Sequence, residues 1–328
     1  MRQGKFTSLT KNKITTSLAN LGINNSHKIL CAVSGGGDSM AMLFLLQNFF
    51  RGEIGVCHYD HSTRGGESHK DAEFVKNYAT ANSLPFFLEV LDEEKEKGQS
   101  FEDFARQKRY SFFEKILQEM GYDFIATAHN KNDNAETQIF NFCRGGGIKA
   151  LLGIPAKRGK VIRPVLGFTA TELRQILQEN DINYCEDKTN KECIYTRNKI
   201  RNIAIPWVEE NINKNVLDTL ENMAEISKEA CDYIASITRK TYDKVIICDR
   251  NELYISRSEA RKLEPIILKE IIMLLGKNLN AHPLEARRLN ELDKLIRCNR
   301  TAWTFEWEEN LTLTAKGEKI IIALKNSR

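Results

Sequence analysis

Ile29-Leu30-Cys31-Ala32-Val33-Ser34-Gly35-Gly36-Gly37-Asp38-Ser39, followed by the apolar run from Met40 to Phe50, joins a short buried strand to a helix through a glycine run. Glycines in that position let successive backbone N–H groups turn toward one anion, and the helix N-terminus adds its positive end. Ser34 and Ser39 add hydroxyl donors. The alternative is a plain glycine-rich turn, but here position and composition agree on an anion cradle. The stretch is not a Walker A loop, since no Gly-Lys-Ser/Thr follows, and it is not a G-x-G-x-x-G dinucleotide turn. Asp38 narrows the ligand: a carboxylate beside a phosphate cradle repels a nucleotide unless a divalent cation lies between them.

Outward from this turn, short apolar runs alternate with longer helical patterns. Ile29 to Val33, Ile54 to Tyr59, Phe86 to Val90 and Phe124 to Ala128 read as buried strands, and Met40 to Phe50, His69 to Ala81 and Phe101 to Met120 as helices. That order predicts an α/β fold, a doubly wound parallel sheet with ligands gathering at the carboxyl ends of its strands. The acidic stretch Asp92 to Glu96 reads as a solvated connection. Thr169 to Asn180 reads as a helix, Asp181 to about Thr196 as a polar loop, and Pro206 to Lys240 as a helical bridge to a second unit. There, Val245 to Cys248 with Leu253 to Ile255 predict a hairpin, Arg261 to Leu275 and Pro283 to Arg297 helices, and Leu311 to Thr314 and Ile320 to Leu324 strands: a smaller, mainly helical α+β domain. The expected domains are 1–210 and 211–328.

The chain has 328 residues, enough for two cores, and its 41% hydrophobic and 28% charged content is that of a globular protein. A net charge of +4 does not by itself separate a nucleic-acid binder from an ordinary enzyme. Distribution says more. Arg144, Lys149, Lys157, Arg158, Lys160 and Arg163 fall in one stretch without an acid, and Lys188, Lys191, Arg197, Lys199 and Arg201 face only Glu192. Such clusters are either solvated loops or a surface that neutralises phosphates. The eight cysteines include no C-x-x-C pair, against a zinc ribbon, and are expected to be reduced core fillers. With no secretory apolar stretch at the start and no run approaching the ~20 apolar residues that span a bilayer, the expectation is a cytoplasmic protein without membrane partners.

Further segments carry a resemblance. Ser34 to Ser39 resembles the SGGxDS loop of the PP-loop ATP pyrophosphatases (adenine nucleotide alpha hydrolase-like fold), which split ATP at the α-phosphate and adenylylate a substrate. His58-Tyr59-Asp60-His61-Ser62-Thr63-Arg64 resembles an HxxHxxR element, Glu102 to Tyr110 an ExxARxxRY helix, and Ala126 through His129 and Asp133 to Glu136-Thr137 a TAHHxDDxxET segment. Arg144-Gly145-Gly146-Gly147 through Ile154, Arg163-Pro164 and Tyr195 to Arg201 match a glycine-rich loop, an RP pair and a YxRNxIR segment. In this order they resemble the tRNA(Ile)-lysidine synthetases over about the first 200 residues. The chain departs from that pattern at Asn130 and Asn132, where a second His and the first of two Asp residues are usual, which puts one metal or lysine contact in question. The last third matches no motif and resembles only the family's habit of carrying a tRNA-binding appendage.

The resemblance implies ATP as substrate, Mg2+ at Asp38, and as partners free L-lysine and an isoleucine tRNA with a CAU anticodon. Its first anticodon cytidine would be adenylylated on the carbonyl oxygen, and the lysine ε-amine would then displace AMP. Arg106 and Arg109 share a helix face, and a guanidinium fork suits phosphate charge that builds up in the transition state, so Arg106 takes the activation role. Asp133 and Glu136 are again three apart, at the sheet's carboxyl edge, and are expected to hold lysine's ammonium groups; the plainer reading is a preference for acids at a helix N-terminus. His129 is placed at the nucleotide or the base. His58 and His61 shape the site, their H-x-x-H spacing being weak evidence for zinc. The catalytic set is thus Asp38, Arg106, His129, Asp133 and Glu136. The ATP loop is Ser34, Gly35, Gly36, Gly37, Asp38 and Ser39, and the tRNA set is Arg144, Lys149, Arg163, Arg197 and Arg201. A homodimer is left open. The rival readings are a 2-thiocytidine-type tRNA thiolase, an NAD- or GMP-synthetase-like member of the class, and a non-catalytic RNA-binding module.

Overall fold

The computed structural model describes residues 4–60, 67–91, 101–186, 196–249 and 252–324. The chain divides into two compact units, Met1–Glu225 and Ile226–Arg328.

In the first unit, β1 (Lys28–Ala32), β2 (Glu53–Asp60), β3 (Phe86–Val90), β4 (Phe124–Ala126) and β6 (Val161–Ile162) are parallel, and β5 (Lys157–Arg158) turns back along β6. The spatial order is β3-β2-β1-β4-β6-β5. β1 is central, in register with β2 from Lys28 opposite Glu53 to Ala32 opposite Cys57, and with β4 from Ile29 opposite Phe124 to Cys31 opposite Ala126. Its side chains alternate as a strand's must. Ile29, Cys31 and Val33 enter the core made with α1 (Ser8–Asn20), α2 (Gly37–Phe49), α3 (Glu67–Ala81) and α7 (Ala170–Glu179), while Leu30 enters the opposite core with α4 (Phe101–Glu119). Helices therefore cover both faces. α2 is buried at every position from Ser39 to Gln47, which explains why its sequence is an unbroken apolar run rather than an amphipathic stripe.

The predicted strands and helices of this unit are present within a few residues, and α1 is additional. The 206–240 bridge is two helices, α9 (Ile205–Asn211) and α10 (Val216–Val245), preceded by α8 (Thr196–Lys199) and a π-helical turn, Ile200–Ala204. α5 (Lys131–Cys143) lies against them. Ala135, Ile139 and Phe140 pack with Ile200, Ile205 and Leu220, and buried Lys131 is held by Asp218 and by Glu221 at 2.6 Å. The acidic 92–96 stretch, most of the 181–196 loop and the 61–64 segment lie outside the described residues. Among the described residues no helix is long and apolar enough to cross a membrane.

The second unit is an antiparallel sheet in the order β7-β8-β11-β10-β9, built from β7 (Ile246–Asp249), β8 (Glu252–Ser256), β9 (Ala302–Glu308), β10 (Leu311–Lys316) and β11 (Lys319–Leu324). It packs on α11 (Arg257–Lys262), α12 (Pro265–Asn278) and α13 (Ala286–Arg297). Its centre holds a buried cation: Arg257, 1% exposed, donates to the carbonyls of Ile296 (2.9 Å), Arg300 (2.6 Å), Leu295 (3.2 Å) and Cys298 (2.5 Å). These are carbonyls at and just beyond the end of α13, where orphan acceptors and the negative end of the helix dipole compensate a guanidinium. Arg257→Met keeps the volume and removes these donors, Arg261 still reaching the carbonyls of Ile296 and Cys298. It is expected to destabilise this unit by about 3 kcal/mol in chemical denaturation, and a loss below about 1 kcal/mol would contradict the assignment.

Candidate active site at the carboxyl edge of the sheet

The order of the parallel strands reverses between β1 and β4, and at such a switch the connections leave in opposite directions and open a crevice. The turn from β1 into α2 and the segment from β4 into α5 both end there. Gly35 has φ +92°, a left-handed value that a side chain adopts only with strain. A Cβ at Gly35 would meet nothing nearer than 3.5 Å, so the backbone angle and not space demands glycine. Ser39 Oγ donates to Gly36 O at 2.9 Å and accepts from Ser34 N at 3.2 Å, which staples the turn across its mouth. Cys185 N donates to Gly35 O at 2.9 Å from the other side, and the Tyr184 ring lies against Gly37.

A cavity of about 390 Å³ opens on this turn, lined by Ser34, Gly36, Ser39, His58, Asp60, Arg109, Tyr110 and His129 among others. Burial and the facing Asp133 carboxylate raise the Asp38 carboxyl to a pKa of about 6, and Asp38 Oδ1 is buried without a hydrogen-bond partner. Arg174 of α7, which the sequence did not single out, and Arg201 pull the other way, as does a hydrogen bond from Asn130.

The start of α5 accounts for the two asparagines. Asn130 is its N-cap: Asn130 Oδ1 accepts from Asp133 N at 3.1 Å, and Asp133 Oδ2 accepts from Asn130 N at 3.0 Å, a reciprocal capping box. Asn132 Oδ1 accepts from Ala170 N at 3.0 Å and so ties α5 to the start of α7. Asp133 and Glu136 do share a face, and their common partner is Arg201: Arg201 Nη2 donates to Asp133 Oδ1 at 2.7 Å, and Arg201 Nε donates to Glu136 Oε1 at 2.5 Å. Burial raises the Glu136 carboxyl, against the pull of that guanidinium.

Guanidinium groups gather near His129, whose ring feels Arg106, Arg109 and Arg163. Arg106 and Arg109 both lie over the Tyr110 ring, at 5.6 and 5.9 Å, Arg106 exposed and Arg109 half-buried at the cavity. Arg163, expected at the RNA surface, is instead 6% exposed and donates from Nη1 to Pro155 O at 2.6 Å. It is an interior cation beside Arg106 and Tyr110, with little surface to offer RNA. Arg144 and Arg197 are exposed and both lie over the Phe140 ring, at 5.2 and 5.7 Å, so two positive charges distant in sequence meet on one aromatic face. Lys149 is exposed on α6 (Gly147–Ala150). His129 Nδ1 lies 3.1 Å from Thr127 Oγ1. Burial holds its ring down to a pKa of about 4, and Arg163, Arg109 and Arg106 add to this against Asp133. His58 is buried with Nδ1 2.8 Å from Val33 O, and Asp60 Oδ2 lies 2.8 Å from His69 Nδ1. His58 and Asp60 thus brace the carboxyl end of β2. His61, Arg64 and Tyr195 lie outside the described residues.

A sheet that reverses at a glycine-lined, acid-bearing turn defines an α-β nucleotide-site architecture. The chain belongs to the PP-loop domain family, whose model matches residues 6–208. It is similar to a tRNA(Ile)-lysidine synthase of Caldanaerobacter subterraneus subsp. tengcongensis, 34% identical over 256 residues, covering 76% of this chain and 55% of the relative. It is similar also to one of Clostridium perfringens, 35% identical over 267 residues, covering 79% and 57%. The chain spans little more than half the length of these curated relatives. Among solved structures, the U34-tRNA thiolase NcsA of Methanococcus maripaludis shares the fold with a TM-score of 0.54 at 18% identity, over 66% of this chain and 78% of that one.

Because the His129 pKa is depressed, its ring is neutral through the physiological range and donates or accepts without carrying charge. By proton NMR its midpoint is expected near pH 4, moving toward 6.5 when unfolded. The stability tied to its neutrality is then present above about pH 6.5 and is lost as pH falls toward 4. A native midpoint near 6.5 would contradict the burial described.

Proposed function

We propose that the chain carries the catalytic site of a tRNA(Ile)-lysidine synthase. ATP binds with its phosphates on the Ser34–Ser39 turn. The carbonyl oxygen of the first anticodon cytidine attacks the α-phosphorus, and pyrophosphate leaves. The ε-amine of free lysine then attacks the activated ring carbon, the bond to the adenylyl oxygen breaks, and AMP departs. The observation that carries this reading is the meeting at His129 of two charge systems: Asp133, which also acts on Asp38, and the guanidinium groups of Arg106, Arg109 and Arg163. The acids suit a cationic amino acid, and the guanidinium groups suit developing phosphate charge.

Mg2+ fits the residues present: Asp38 offers a buried oxygen without a partner, and Asp133 stands close enough to raise its pKa. Mg2+ takes few protein oxygens and completes its shell from phosphates and water. Bound there, the ion would neutralise phosphate charge.

His129, uncharged, orients the base or the ribose by hydrogen bonding. Arg109 and Arg106 meet the α-phosphate side of the cavity. Arg144 and Arg197 on Phe140, with Lys149, receive the RNA backbone. Thiolation is the weaker reading. Cys57 and Cys185 line the cavity, yet burial raises both thiols, Cys185 to about 12, so neither is poised as a thiolate nucleophile.

Incubation of the chain with ATP, Mg2+, L-lysine and an isoleucine tRNA bearing a CAU anticodon, followed by mass analysis of the digested RNA, is expected to show one cytidine heavier by a lysyl group. A sulfur-for-oxygen mass change would assign thiolation instead. Asp38→Asn removes the charge but almost no volume and is expected to abolish pyrophosphate release while the folded state persists; near-normal turnover would exclude the metal role.

Asp133→Asn and Glu136→Gln are expected to raise the lysine needed for half-maximal rate at least tenfold, more than they raise the ATP requirement, because an ammonium left unpaired in a partly desolvated site costs on the order of several kcal/mol. Raised Mg2+ demand with unchanged lysine demand would instead place Asp133 on the metal.

A further inference from the structure

The acids that are to receive an ammonium already hold a cation. Arg201 Nη2 donates to Asp133 Oδ1 at 2.7 Å and to Glu136 Oε2 at 3.2 Å, and Nε to Glu136 Oε1 at 2.5 Å. The Glu136 side chain is only 6% exposed and that of Asp133 22% exposed. Leaving these carboxylates without a positive partner is costly, so a cation must be present whenever substrate is absent. The guanidinium supplies it. Arg144 and Arg197 rest on the Phe140 ring, while Arg201 is turned onto the acid pair and hydrogen-bonds both carboxylates.

Arg201 is also placed to leave. It sits in the π-helical turn Ile200–Ala204, between α8 and α9, where the chain departs from α-helical hydrogen bonding, as helices often do at functional sites. Its side chain is 39% exposed, while the carboxylates it grips are largely enclosed. All four carboxylate oxygens already have a donor, three from Arg201 and Asp133 Oδ2 from Asn130 N, so an ammonium that takes these oxygens displaces guanidinium donors. A primary ammonium, with three donors and one charge, replaces the guanidinium in kind. A neutral side chain brings nothing to exchange.

Resting on the reading that Asp133 and Glu136 receive the ε-ammonium of the amino acid, we infer that Arg201 is a specificity-determining residue: a resident cation that occupies the acid pair and yields it only to an amino acid whose side chain bears an ammonium. The observed affinity for the amino acid is then its intrinsic affinity reduced by the fraction of time the acids are free. Selection against neutral side chains follows from the exchange, because such a side chain would have to desolvate the pair without replacing the charge it displaces.

The test is calorimetric titration of L-lysine, and in parallel of the neutral analogue L-norleucine, into the full chain, Arg201→Gln, Arg201→Lys and the double variant Asp133→Asn with Glu136→Gln. Arg201→Gln is expected to tighten lysine about tenfold, by freeing the acids, without a matching gain for norleucine. Arg201→Lys, which keeps a charge but loses the fork, is expected to tighten it by about threefold. In the unmutated chain, addition of lysine is expected to speed amide exchange over residues 200–205, and norleucine is not.

Weaker or unchanged lysine binding in Arg201→Gln or Arg201→Lys, with lysine binding lost in the double acid variant, overturns the inference and leaves the acid pair as the lysine site. Undiminished lysine binding in the double acid variant overturns the site reading itself. If Arg201→Gln does not fold, Arg201→Lys and the exchange measurement on the unmutated chain decide, and unchanged exchange over 200–205 on lysine addition overturns the proposal.

Discussion

A parallel sheet whose strand order reverses between β1 and β4 must send the next connections to opposite faces, and the crevice this leaves is the constraint on which the rest of the site depends. β1 is paired on both sides and buried on both faces, so its last residue delivers the chain to a fixed point. From there the backbone must turn sharply enough to start α2 with its amides facing the crevice. Gly35 at φ +92° permits that turn, and the two serine hydroxyls and Cys185 N hold it. α2, buried along its length, cannot shift to relax it.

The same geometry brings two charge systems within reach of each other. α5 starts at the end of β4 with a capping box whose acid, Asp133, also faces Asp38 and grips Arg201. One carboxylate therefore serves the helix, the acid cluster and the cation it holds. Arg106, Arg109 and Arg163 gather at Tyr110 and His129. Burial governs both sides: it raises the carboxyls of Asp38 and Glu136 and keeps the imidazole of His129 neutral. Groups held so far from their solvated state bind strongly to charges that arrive with a substrate.

Local signals made much of this legible in the sequence. The Ser34–Ser39 turn could be read because a glycine run, an apolar strand before it and an apolar helix after it are all contiguous. The first-unit strands could be read because they are buried on both faces and so appear as unbroken apolar runs. What could not be read depends on contacts between distant segments. Asn130 and Asn132 look like losses beside the family pattern, and only the position of Ala170 and the cap geometry show what they hold. Arg163 and Arg201 sit in basic stretches that resemble solvated loops, yet one is interior and the other is bound to acids more than sixty residues away. α1 exposes most of its surface and buries only Ile14 and Leu18, too few to announce a helix. β9 is a different case: Trp303, Phe305 and Trp307 alternate with Thr304, Glu306 and Glu308 as a half-buried strand should, so this strand was legible and was missed.

The proposed chemistry turns on activation of the substrate at the α-phosphate of ATP in this crevice. Chromatography of the nucleotide left after turnover with RNA and lysine, with phosphorus NMR of the released anion, tests it most directly. AMP and pyrophosphate are expected in equal amounts, both dependent on added RNA. ADP with inorganic phosphate would contradict it.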